Sequence, residues 1–135
     1  AMTFMLQKEV VDRMSASPNT KAYGRLSVMA QYHCEIEKLF DVPPTAFKPA
    51  PKVTSAVVQL RPHQQPPHPV LDLNALSKVL VTAFGQRRKT LRNSLSSLLT
   101  TDQLKTLDID PSKRAETLSV AEYVRCANLM SQNPL

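Results

Sequence analysis

Apolar positions in residues 1–62 alternate between near-continuous runs and helical spacing, and each change of pattern marks a change of element. Thr3 to Leu6 is an apolar run of strand length. From Lys8 to Met14 the residues Val10, Val11 and Met14 fall at helical spacing, until Pro18 and Asn19 break the pattern. Tyr23 to Cys34 predicts a second helix, because Leu26, Met29 and Ala30 recur at steps of three and four behind a start marked by Gly24 and Arg25. Ile36 to Val42 predicts a strand halted by Pro43 and Pro44, and Val53 to Leu60 another. The order is therefore strand, helix, helix, strand, strand.

Four prolines crowd the stretch Pro62 to Pro69, a density no regular element tolerates, so residues 63–71 are expected to be a stiff linker between two domains. Beyond it, residues 72–135 carry helical patterns. Leu73, Leu76, Val79, Leu80, Ala83 and Phe84 form one apolar face, with Asp72 or Asn74 available to cap its start. Leu91, Leu95, Leu98 and Leu99 form a second face. Ser119 and Glu122 stand three apart before an apolar run, the pattern of a capping box that launches a helix through about Met130.

Composition narrows the chemistry. There are only two glycines, Gly24 and Gly85, far apart, so no glycine-rich turn exists to bring backbone amides against a phosphate or a nucleotide-like cofactor. The opening apolar run has no turn or cap before it, which suggests the C-terminal half of a longer protein. The net charge of +6 is unevenly spread. Between Asp41 and Asp102 the one acid is Asp72, against Lys48, Lys52, Arg61, Lys78, Arg87, Arg88, Lys89 and Arg92. A one-signed field of that size favours polyanions, and nucleic acid is the natural partner. No apolar run approaches the roughly 20 residues of a membrane-spanning helix, and no leader or lipid-attachment pattern is present. Cys34 and Cys126 stand alone without ligand-spaced neighbours, and read as free buried thiols of a reducing, cytoplasmic setting. His33, His63 and His68 are too scattered to hold a metal.

Two segments carry specific chemistry. In Phe47-Lys-Pro-Ala-Pro-Lys-Val53, Pro49 and Pro51 fix φ and push Lys48 and Ala50 toward extended geometry, so one aromatic is held at a rigid basic corner that leads into a strand. Such a ring can stack on a flat base, or it can simply anchor a proline-rich loop. In Gln86-Arg-Arg-Lys-Thr-Leu-Arg92, four cations lie within six residues at an expected helix start, tied to the core by Leu91 and Leu95. The Arg forks can grip phosphates, and free helix-start amides would add to the attraction; alternatively the run is a solvated face.

Both segments resemble motifs of the rRNA adenine N6-dimethyltransferase family. So do Gln7-Lys-Glu-Val-Val11 and Tyr23-Gly-Arg-Leu-Ser-Val-Met-Ala-Gln31, in the same order. The resemblance implies an α/β plus α architecture: the C-terminal part of a seven-stranded Rossmann-like methyltransferase sheet, whose last strand runs antiparallel to its neighbours, followed by a small all-helical domain. It implies a parent enzyme that moves methyl groups from S-adenosylmethionine to two adjacent adenines near the 3′ end of small-subunit rRNA during ribosome assembly. Phe47 would then stack the target adenine. Lys48 and Lys52 would neutralise phosphates beside it, Arg87, Arg88, Lys89 and Arg92 would dock a second rRNA helix, and Lys8 and Arg25 could contact the backbone from their helix starts.

This chain lacks the family's glycine-rich cofactor loop and its amino-group clamp, so it is expected to bind no cofactor or metal and to be inactive alone. The opening strand would pair along its free edge with the N-terminal half or with another copy. Two alternatives stand beside this reading. An erythromycin-resistance type methyltransferase acts on large-subunit rRNA, although the Gln-Arg-Arg-Lys-Thr string argues against it. A non-catalytic RNA-binding or assembly module would need neither missing motif.

Overall fold

A computed structural model describes residues 1–50 and 52–132. Strand β1 (Met2–Gln7) runs directly into helix α1 (Lys8–Met14). A ten-residue connection leads to α2 (Arg25–His33), which passes without a loop into β2 (Cys34–Val42). A single 3-10 turn at Pro44–Ala46 precedes the proline corner, and β3 (Ser55–Pro62) closes the sheet. The strand order is β1-β3-β2, with β3 antiparallel to both neighbours. The expected order of elements is present, and so is the antiparallel last strand.

The strand boundaries differ from the sequence reading for a pairing reason. Ser55 is the first residue of β3 opposed on both sides, by Gln7 and by Val42, so Val53 lies ahead of the sheet and is exposed. At the other end Cys34 pairs with Pro62, which extends β2 back to the end of α2. The ladder slips between Lys38 and Phe40, a β-bulge that leaves Leu39 and Phe40 exposed.

Side chains of α2 explain why α1 stops where it does. The last carbonyls of a helix need donors, and Ser27 Oγ donates to Arg13 O while Gln31 Nε2 donates to Met14 O and Ala16 O, at 2.9 and 2.7 Å. Ser27 itself is fully buried. Ser27 and Gln31 of the Tyr23 to Gln31 string thus serve as a cap for the neighbouring helix.

Residues 72–132 are helical, in pieces of unequal length. In α3 (Leu73–Gly85), Asp72 rather than Asn74 is the cap, accepting from the Asn74 amide at 2.9 Å. The leucines 91, 95 and 99 are buried on a chain of turns that begins with the four-residue α4 (Leu91–Ser94). Thr100 and Gln103 form a capping box for α5 (Thr101–Thr106) by exchanging bonds of 3.1 and 2.8 Å. The Ser119 and Glu122 box opens α6 (Val120–Gln132) as expected, at 3.0 and 3.2 Å. Of the two cysteines only Cys126 is buried, where the loss of solvent pushes its thiol up to about 12; Cys34 is half-exposed. Among the described residues no helix is long and apolar enough to cross a membrane.

The apolar core is lopsided. Tyr23, Val28 and Tyr32 join Leu76, Leu80, Leu91, Leu95, Leu104 and Tyr123 in one large cluster, so α2 shares its core with the helical half. Under the sheet the buried cluster is Val11, Ala56 and Val58 alone, backed by Ile36 and Leu60. All six residues of β1 are exposed, with Phe4 at 43% and Met5 at 52% on opposite faces. Each fully buried leucine or valine contributes about 1.5–3 kcal/mol, so the helical half holds most of the stabilisation. Amides of β1 and β2 are therefore expected to exchange with solvent well before those of α3 and α6. Hydrogen exchange followed by NMR checks this, and uniform protection across both sets would contradict it.

Candidate nucleic-acid interface

Phe47 sits at the end of the 3-10 turn with an extended backbone, φ −118° and ψ 156°, its amide donating to Pro44 O at 3.2 Å. The ring is half-buried, and Lys48 and Lys52 beside it are exposed. Among the described residues neither lysine makes a hydrogen bond or ion pair, so both charges face solvent. Pro51, the second proline of the corner, lies outside the described residues.

The basic string following α3 divides in two. Arg88, Lys89 and Arg92 are exposed, whereas Arg87 is half-exposed and folds back onto the chain. Its Nη2 donates to Tyr23 O at 2.5 Å and to Lys21 O at 3.1 Å, its guanidinium carbon lies 5.5 Å from the centre of the Phe84 ring, and Glu116 Oε2 is 3.9 Å away. The expectation of free helix-start amides also needs correction. Leu91 N donates to Lys113 O at 2.7 Å, Arg92 N to Pro111 O at 2.9 Å and Asn93 N to Thr90 O at 3.0 Å. With those donors spent on the backbone, any attraction for phosphate here comes from side chains.

The same bonds reveal what linear reading missed. Thr90 and Arg114 form an isolated antiparallel bridge, so the loop carrying Lys113 and Arg114, both exposed, lies alongside Arg88 to Arg92. The signal in the sequence is a basic pair, but only a pairing between distant segments shows that it belongs to this surface. Asp110 is the acid among these cations. The Ser112 amide and hydroxyl bond its carboxylate at 2.9 and 2.7 Å and, with Lys113 and Arg92 nearby, hold its pKa below the usual carboxylate value.

Lys8 and Arg25 differ in their surroundings. Lys8 Nζ pairs with Asp12 at 2.6 Å, and Lys38 reaches Asp12 and Asp41 at 3.3 Å each. The hydrogen bond from Lys8, then that from Lys38, holds the Asp12 carboxyl below its ordinary range. Lys8 lines an open cleft of about 390 Å³ with Glu9, Asp12, Arg13, Lys21 and Ala22, so its charge is offset locally. Arg25 is exposed, and among the described residues it has no hydrogen bond or ion pair.

The two glycines stand apart in different surroundings. Gly24 has an extended φ of −162° and Arg87 Nη1 lies 3.5 Å from where its Cβ would stand; Gly85 ends α3 facing open space. Neither has a positive φ.

Residues 1–132 match the family model described as ribosomal RNA adenine dimethylase. The chain belongs to that family. Among curated relatives, the ribosomal RNA small subunit methyltransferase A of Pasteurella multocida is 62% identical over 133 residues, and that of Mannheimia succiniciproducens is 61% identical. Each match covers 98% of this chain and 46% of the relative, so the chain spans about half the length of these proteins. Among solved structures, a dimethyladenosine transferase from Plasmodium falciparum superposes with a TM-score of 0.78 at 23% identity, over 92% of this chain and 54% of that one. The 23S rRNA methyltransferase ErmE gives 0.64, also at 23% identity, over 96% and 54%. These likenesses show that this dimethylase-family chain has the fold of the corresponding part of the methyltransferases.

Proposed function

We propose that this chain is the C-terminal part of an S-adenosylmethionine-dependent rRNA adenine N6-dimethyltransferase that modifies two adjacent adenines near the 3′ end of small-subunit rRNA, in the cytoplasm, during ribosome assembly. The observation that carries the reading is the 62% identity to a relative named for the small subunit, across nearly the whole chain. It favours the small over the large subunit as target, because the likeness to the 23S enzyme is one of fold. In this reading β1 to β3 are the closing strands of a seven-stranded sheet. The N-terminal half covers the exposed apolar faces of β1 and pairs with its free edge, in preference to a second copy of the chain.

Residues 1–62 would carry the base site, and 72–135 a helical rRNA-docking domain across the 63–71 linker. Phe47 stacks an adenine taken out of its helix, which costs a few kcal/mol of unstacking and regains about 1–3 kcal/mol from the ring. Lys48 and Lys52 neutralise the phosphates beside it. Arg88, Lys89 and Arg92, with Arg114 across the bridge, dock a second rRNA helix, while Arg25 is free to meet the backbone and Lys8 is less so. A second reading, a non-catalytic RNA-binding module, is favoured for the chain on its own by the exposed cations Arg88, Lys89, Arg92 and Arg114.

Three outcomes test this. Replacing Arg88, Lys89 and Arg92 together by Ala should weaken binding to purified small-subunit rRNA and flatten the log-log salt dependence by about 2–3 units, at close to 0.9 per phosphate contact. An unchanged slope would make the cluster a solvated face. Titration calorimetry of this chain with S-adenosylmethionine should give no heat of binding, whereas a micromolar complex would mean that the cofactor site lies within these residues. In the full-length enzyme Phe47→Ala should slow methylation by about fivefold to a hundredfold, the loss of one base stack, while Phe47→Tyr keeps the ring face and most of the rate. Wild-type activity in the alanine variant would make the ring a loop anchor.

A further inference from the structure

Arg87 belongs by sequence to the basic string, yet its surroundings are those of a fastener. Between the end of α3 and Leu91 the chain has no regular structure, and the turn is braced internally by the Lys89 amide bonding Gln86 O at 2.9 Å. Among the described residues, Arg87 is the one side chain of Gln86 to Lys89 that makes a hydrogen bond or ion pair. It spans three segments at once. One nitrogen holds the carbonyls of Lys21 and Tyr23 ahead of α2, the guanidinium carbon stands over the Phe84 ring of α3, and Glu116 of the 3-10 turn Ala115–Thr117 stands 3.9 Å away. The segment it holds is tied to the same place by other bonds. Asn19 N donates to Glu116 O at 2.8 Å and Tyr23 Oη to Leu118 O at 2.6 Å.

We infer that Arg87 is a positioning residue and not a phosphate ligand: it pins the turn that presents Arg88 and Lys89, and fixes that turn to the segment before α2. An unpinned turn would still carry two cations, but binding would then have to order them, at a cost in affinity that does not depend on salt. Geometry also says which residue can do this. A guanidinium donates to two carbonyls while its carbon stands over a ring; a lysine ammonium, a point charge on a flexible stem, keeps the charge and loses the arrangement.

The inference rests on the rRNA-docking reading for its binding readout, and on amide exchange for a readout independent of it. Arg87→Ala, Arg87→Lys and Arg88→Ala would be compared in this chain, with circular dichroism to confirm folding and purified small-subunit rRNA as the probe. Both Arg87 variants should bind about five- to tenfold more weakly at every salt concentration with an unchanged salt slope, and Lys should not rescue. Arg88→Ala should instead lower the slope by close to 0.9. Amides of Tyr23, Gly24, Val28 and Lys89 should exchange about tenfold faster in both Arg87 variants.

A slope that falls in Arg87→Ala and returns in Arg87→Lys would make Arg87 a phosphate ligand and overturn the inference. Wild-type affinity in both variants, or unchanged amide exchange, would also overturn it. If Arg88→Ala leaves the slope unchanged, the docking reading fails. The exchange rates then still decide whether Arg87 pins the turn.

Discussion

Tyr23 is the point on which the two halves of the chain agree. Its hydroxyl donates to Leu118 O at 2.6 Å, its ring meets Phe84 edge-on with centres 6.1 Å apart, and its own carbonyl accepts from Arg87. The side chain is fully buried, and that burial raises its pKa well above the ordinary tyrosine value. Such a phenol must have a partner, because an unbonded hydroxyl in a dry core costs about 1–3 kcal/mol. The requirement is met only if the segment ahead of α2 lies against the 3-10 turn before α6. One residue therefore ties the helix that caps α1 to the helices that bury the core.

From that anchor the rest of the geometry follows in two directions. Toward the sheet, α2 presents Ser27 and Gln31 to the last carbonyls of α1, which sets α1 over β3 with Val11 against Ala56 and Val58. Toward the helical half, the Phe84 and Tyr123 rings, 5.7 Å apart, continue the aromatic contact, and the turn after α3 emerges beside them with its cations. The basic surface is thereby placed by buried aromatic packing. A field that draws polyanions works best when its charges are fixed in space, since disorder would have to be removed on binding.

How much of this the sequence discloses depends on the range of the interaction. Local signals were legible: the helical spacing in α3, the Ser119 to Glu122 box and the proline break after Val42 all depend on neighbours within a few residues. The start of β3 was not, because Ser55 rather than Val53 is where Gln7 and Val42 both arrive. The Thr100 and Gln103 box was local and readable, but it was masked by the run of leucines before it. At the candidate site the exposure of Arg88, Lys89 and Arg92 agrees with a charge run read in isolation. The folding back of Arg87 depends on carbonyls more than 60 residues away. Arg114 joins the surface only through a backbone bridge to Thr90.

The strand order β1-β3-β2 has a bearing on how the chain can be built. Among the described residues β1 and β2 are not paired with each other, and both pair with β3, the last of the three to be made. Met2 meets Leu60, so that pairing spans almost the whole of the first 62 residues. While the chain emerges from a ribosome, the facing edges of β1 and β2 stay open until the central strand arrives between them, and loop closure over that length is a slow kind of contact. Until then those two facing edges are open to mispairing, while α1 and α2, whose backbone bonds are local, can form without waiting for β3.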